Sequence, residues 1–129
     1  MSSFLLGLMV LVPGQFDHLP PLKPVPATIE EKIERVAWKY KVDSDLALAV
    51  ARAESNFDPK AKNPLSTASG IFQFLDGTFK QFCLKSYSLT NSMAEKNDPD
   101  IQIECAMRMI SEGGLSHWYA SQHLWKTKK

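Results

Sequence analysis

Glu54 is the residue of this chain best placed to do chemistry. It follows an alanine- and leucine-rich stretch, Leu46-Ala47-Leu48-Ala49-Val50-Ala51, whose small and apolar side chains suit a helix buried on nearly every side. A carboxylate at the end of such a helix costs stability unless it is paired, kept protonated or put to use. Desolvation raises the pKa of a glutamic acid there, so that it still holds a proton near neutral pH and can act as a general acid. Such an acid is often paired with a second carboxylate as nucleophile or base. The aspartates on offer, Asp58 before Pro59 and Asp76 before Gly77, are better explained as a turn residue and a helix cap. The reading is therefore of a lone acid. Other chemistries lack their residues: His117 and His123 do not have metal-ligand spacing, and there is no His-Glu-x-x-His, no Gly-x-Ser-x-Gly elbow and no phosphate-cradling glycine loop. Neither a metal nor a cofactor is expected.

The elements that must position Glu54 are helices. Asp43 reads as the N-cap of its own helix, which should end near Ser55 or Asn56. Before it, Thr28 and Glu31 form a capping-box pattern. Ile29, Ile33, Val36, Ala37 and Tyr40 then fall on one stripe, with Trp38 off it, against a second neighbour or in a surface groove. After Glu54 comes a polar loop with turn signals at Asn56-Phe57-Asp58-Pro59 and Asn63-Pro64. The small residues Ser66 to Gly70 permit close backbone approach just before Ile71-Phe72-Gln73-Phe74. Asp76 should cap a short helix through Cys83, Leu84 to Asn97 reads as loop, and Asp98-Pro99 starts a largely buried helix ended by Gly113-Gly114. Nothing alternates as a strand does. The fold class is mainly α, about five helices with a small irregular hairpin among the loops.

With 129 residues the chain suits one domain, at 28–125. Its 44% hydrophobic and 22% charged residues are ordinary for a globular protein, and a net charge of +1 gives no reason to expect a nucleic-acid partner. Residues 1–14 hold the apolar run Phe4 to Val12, too short to span a bilayer and similar to the core of a secretory signal, although no Lys or Arg precedes it. Residues 15–27, with Pro20, Pro21, Pro24 and Pro26, read as an extended linker, and 126–129 as a basic tail. Export to the periplasm, cell envelope or exterior is expected. In an exported protein Cys83 and Cys105 should form a disulfide, worth about 3 kcal/mol for a loop of this length; the alternative is a pair of buried thiols.

Three segments then carry a family resemblance. Ala49-Val50-Ala51-Arg52-Ala53-Glu54-Ser55-Asn56-Phe57, Ala68-Ser69-Gly70-Ile71-Phe72-Gln73-Phe74 with Thr78, and Asn97-Asp98-Pro99 before a buried helix resemble the soluble lytic transglycosylases, relatives of goose-type lysozyme. The resemblance covers roughly Glu30 to Tyr119 and implies a lysozyme-like helical domain. It implies that Glu54 is the catalytic acid, with Ser55 beside it and Gln73 lining the sugar cleft. It further implies a peptidoglycan glycan strand as partner, cut at the β-1,4 bond between N-acetylmuramic acid and N-acetylglucosamine to leave a 1,6-anhydro product. A monomer is expected. Phe72 stands where the family has Met and is a candidate cleft wall. Where many members carry Tyr-Asn-x-Gly, whose tyrosine bonds the acid, this chain reads Ser116-His117-Trp118-Tyr119-Ala120. Tyr119 or Tyr87 is the candidate for that hydroxyl, and Trp118 for stacking on a sugar or for closing the core. A hydrolytic muramidase or chitinase, and a wall-binding module without turnover, are the rival readings.

Overall fold

The computed structural model describes residues 27–126; the signal-like segment, nearly all of the proline-rich linker and the end of the basic tail lie outside them. Five α-helices are present among the described residues: α1 (Ile29–Lys39), α2 (Ser44–Ser55), α3 (Asp76–Thr78), α4 (Pro99–Ser111) and α5 (Gln122–Trp125). A π-helix, Phe79–Ser86, continues α3, and 3-10 segments cover Met93–Glu95 and Gly114–Ser121. No strand occurs among them, only isolated bridges joining Lys62 to Ser69 and Ser69 to Phe74, which are the irregular hairpin.

The caps form where the side chains call for them. Thr28 Oγ1 accepts from the Glu31 amide at 3.1 Å while the Glu31 carboxylate accepts from the Thr28 amide at 2.9 Å, a closed capping box. The Asp43 carboxylate accepts from the Asp45 amide at 2.9 Å, and that of Asp98 from the amides of Asp100 and Ile101, with Pro99 at the first helical position. The α1 stripe buries Ile33 and Ala37 completely and leaves Trp38 in solvent at 84% exposure. On α2, Ala47, Val50 and Ala51 are buried, and this helix packs against α1, α5 and the Gly114–Ser121 segment. Small side chains along α2 are what let three elements approach it.

Two expectations need correction. Asp76 does not cap the helix it begins: Leu75 is the N-cap, without a side-chain bond, and the Asp76 carboxylate is instead held by the ammonium of Lys96 at 2.8 Å. The helix also passes Cys83 and runs to Ser86, so the loop read from Leu84 is partly helical. Cys83 and Cys105 are joined in a disulfide that fastens the π-helix to α4, with both residues fully buried.

On α4 the buried face holds Ile103, Cys105, Ala106, Met107 and Met109, and in their midst a polar residue, Gln102, with no exposure at all. Its amide is satisfied at every side. Gln102 Nε2 donates to Ser69 O at 2.9 Å, Lys96 O at 3.0 Å and Asn97 Oδ1 at 3.3 Å, and Oε1 accepts from the Phe72 amide at 2.9 Å. One side chain thus ties together two loop segments, at Ser69–Phe72 and Lys96–Asn97, that have no sheet to hold them. It leaves no room beside Gly70, where a Cβ would lie 2.1 Å from Gln102 Nε2 and where φ is +87°. Only glycine meets both conditions.

Candidate active site

Glu54 lies in the last turn of α2, half-buried. Beyond it α2 is closed by Asn56 and Phe57, both in the left-handed region at φ 53° and 65°, with the Arg52 guanidinium 5.3 Å from the centre of the Phe57 ring. This sharp stop sends the chain away and leaves the carboxyl at the helix end. Burial pushes the Glu54 carboxyl above the usual carboxylate range; a hydrogen bond from Ser121 Oγ to Oε2 opposes the shift, and no charged neighbour contributes.

The turn carrying Gln73 is fastened to that helix end from several sides. Ser55 Oγ donates to Ile71 O at 2.7 Å, the Gly70 amide donates to Ala61 O at 2.8 Å, and Trp118 Nε1 donates to Phe72 O at 2.8 Å. Gln73 itself adopts φ 52°, and its Nε2 donates to Gly70 O at 2.9 Å and Ala61 O at 3.2 Å. Its Oε1 accepts no hydrogen bond among the described residues, so the acceptor end of the amide is the end left to a ligand. Gln73, Phe74, Leu75, Thr78, His117 and Trp118 line a small pocket beside this turn.

The family model of the transglycosylase SLT domain matches residues 31–116. The chain belongs to this family. Soluble lytic murein transglycosylases of Escherichia coli K12 and of Escherichia coli O157:H7 are each 30% identical to it over 103 residues, 76% of this chain. The chain spans 15% of the length of those relatives. No solved structure matches it.

Within this SLT domain the side chains named from the sequence take different places. Glu54, Ser55 and Gln73 come together around the end of α2, Ser55 as the clip that holds the Gln73 turn by hydrogen bonding inward. Phe72 is not a cleft wall: it is fully buried and meets Trp118 edge-on, with ring centroids 6.1 Å apart. Trp118, at 4% exposure, closes the core through its ring and holds the Phe72 carbonyl through its N–H, so it offers no free face for stacking. Tyr119 is 52% exposed and tilts over Trp125, which leaves it open to a ligand. Neither tyrosine bonds Glu54. Tyr87 donates its hydroxyl to Glu112 at 2.6 Å, and the residue at Glu54 is Ser121, which the sequence reading passed over. The available signal was its position four residues before Trp125, which places the hydroxyl against the buried indole that bonds it at 3.0 Å. The two aspartates remain apart from the acid: Asp58 accepts from the Lys60 amide at 2.8 Å, and Asp76 is taken by Lys96. Among the described residues there is no cluster of metal ligands and no helix long and apolar enough to cross a membrane.

Proposed function

We propose that this SLT domain is an exported lytic transglycosylase that cuts the β-1,4 bond between N-acetylmuramic acid and N-acetylglucosamine in peptidoglycan and leaves a 1,6-anhydro end. The observation that carries the reading is Glu54: a half-buried carboxyl whose pKa is raised by desolvation, bonded by a neutral hydroxyl, with no charged partner. Such a group is suited to give a proton and then take one back. Glu54 protonates the glycosidic oxygen as the bond to C1 of the muramic acid breaks. The substrate's own N-acetyl group stabilises the cation, and its C6 hydroxyl attacks C1 and returns a proton to Glu54. The new C1–O6 bond replaces the old one and no water is consumed, which removes the need for a second carboxylate. The names of the two relatives, murein transglycosylases, support the substrate class.

The test compares wild type and Glu54→Gln on purified sacculi, with products analysed by mass. Wild type is expected to release muropeptides lighter by one water than hydrolysed ones, and the variant to release none. Hydrolysed products would make the domain a muramidase, and binding to sacculi without release would make it a wall-binding module.

A further inference from the structure

Ser121 sits at the meeting point of three groups. Its Oγ lies within hydrogen-bond reach of Glu54 Oε2, 3.1 Å from the carbonyl oxygen of Trp118 and 3.0 Å from Trp125 Nε1. Trp118 and Trp125 are both buried, at 4% and 7% exposure, and the Trp125 N–H also reaches Trp118 O at 3.3 Å. A serine hydroxyl has one hydrogen to donate and two lone pairs to accept with. The Trp125 N–H occupies one lone pair in any state. What remains is one hydrogen, with two acceptors in reach, and one free lone pair.

We propose that Ser121 is the positioning residue of the acid, its hydroxyl holding Glu54 in one geometry through both protonation states. With Glu54 ionised, Ser121 donates its hydrogen to Oε2. With Glu54 protonated, the carboxyl donates to the free lone pair of Ser121 Oγ, and the serine hydrogen turns to the Trp118 carbonyl. Only a hydroxyl hydrogen rotates, Glu54 and Trp125 stay bonded to Ser121 in both states, and no heavy atom moves. A group that must act first as acid and then as base at one glycosidic bond needs this constancy, because a carboxyl displaced by about 1 Å between the two steps loses orders of magnitude in rate. The inference rests on the reading of Glu54 as acid and base. The other titratable groups on the packed elements, Arg52 on α2, His117, Tyr119 and His123 towards the C-terminus and the charged residues of α1, contribute nothing to the shift at Glu54.

The experiment uses the full chain with Ser121→Ala, Ser121→Thr and Trp125→Phe, the last of which keeps a ring and removes the N–H. Folding is checked by circular dichroism. The carboxyl carbon of Glu54 is titrated by NMR, and muropeptide release is followed against pH. A hydrogen bond donated to an ionised carboxylate is stronger than one accepted from a neutral acid. Ser121→Ala should therefore raise the Glu54 titration midpoint and lower turnover about tenfold or more, with little change in KM. Ser121→Thr should restore both, and Trp125→Phe should move both part of the way. An unmoved Glu54 midpoint in folded Ser121→Ala overturns the proposal. So does a shift that threonine fails to rescue while the fold is retained. Should Ser121→Ala not fold, an unmoved midpoint in Trp125→Phe decides against it equally. The NMR arm stands without turnover, so an inactive wild type would overturn the catalytic reading alone, whereas a normal midpoint and normal rate in Ser121→Ala, beside an inactive Glu54→Gln, would overturn this inference alone.

Discussion

Replacing Gly70 by alanine tests whether the backbone that carries Gln73 is set by one buried amide. Two separable costs arise. The φ of +87° lies in the left-handed region, where a side chain costs about 1–2 kcal/mol. The new methyl would also stand 2.1 Å from Gln102 Nε2 and 2.5 Å from its Cδ, and crowding of this kind in a packed interior costs about 1–3 kcal/mol. The Gln102 side chain has no slack with which to yield, since it is fully buried and bonded to Ser69, Lys96, Asn97 and Phe72. Gly70→Ala should therefore destabilise the domain by roughly 2–5 kcal/mol, the sum of the two. In a Gln102→Ala background the methyl meets no amide and only the conformational cost remains. The double-mutant cycle should thus show a coupling of about 1–3 kcal/mol, with the double variant more stable than the sum of the single effects predicts. Urea unfolding of the four proteins, followed by circular dichroism with the disulfide intact, measures it. Effects that add to within about 0.5 kcal/mol would refute the contact between Gly70 and Gln102 as the reason for glycine here.

Further outcomes follow from the same structure. The Glu54 pKa is raised on folding, so its ionised form is the disfavoured one; the stability linked to it is fully present below the unfolded value, near 4.5, and is lost as pH rises through the folded value. Glu54→Gln should accordingly melt higher than wild type at neutral pH, with the difference vanishing in melts below pH 4 to 4.5. Reducing the Cys83–Cys105 disulfide should lower stability by about 3 kcal/mol, read as a fall in melting temperature with reductant; unchanged melting would show that the closed loop constrains little. Phe72→Ala should cost about 3–5 kcal/mol in denaturant unfolding, while affinity for sacculi, measured under conditions where the variant is folded, stays near that of wild type.

What was legible in the sequence was local. Thr28, Asp43 and Asp98 each cap the helix they precede because the groups they satisfy lie within three residues, and the disulfide needed only two cysteines and a compartment. Asp76 failed the same logic, because Lys96, twenty residues away, competes for its carboxylate. Ser121 and Gln102 were missed for a related reason. Their partners lie 67 and 30 residues away along the chain, and a serine or glutamine carries no pattern that says which distant group it will meet. A trace did exist for Gln102: it shares a stripe of α4 with Ala106 and Met109, a lone polar residue on an apolar face. For Phe72 the resemblance implies a wall of the sugar cleft, whereas its ring is fully buried; for Trp118, open between stacking on a sugar and closing the core, the structure takes the second.

Glu54 stands at the C-terminal end of α2, and that end has a sign. The carbonyls of a helix's last turn lack intrahelical partners and together carry partial negative charge. A protonated acid is indifferent to that field, but its conjugate base is repelled by it. On the proposed mechanism the conjugate base exists only between the two proton transfers, so α2 disfavours the interval in which the enzyme has given up its proton and favours the step that recovers it from the sugar. The same carboxyl grafted onto the first turn, near Ser44, would find the field reversed and would lose its proton more readily than it regained it. On that mechanism the direction in which the chain runs through α2 is part of how Glu54 regains its proton.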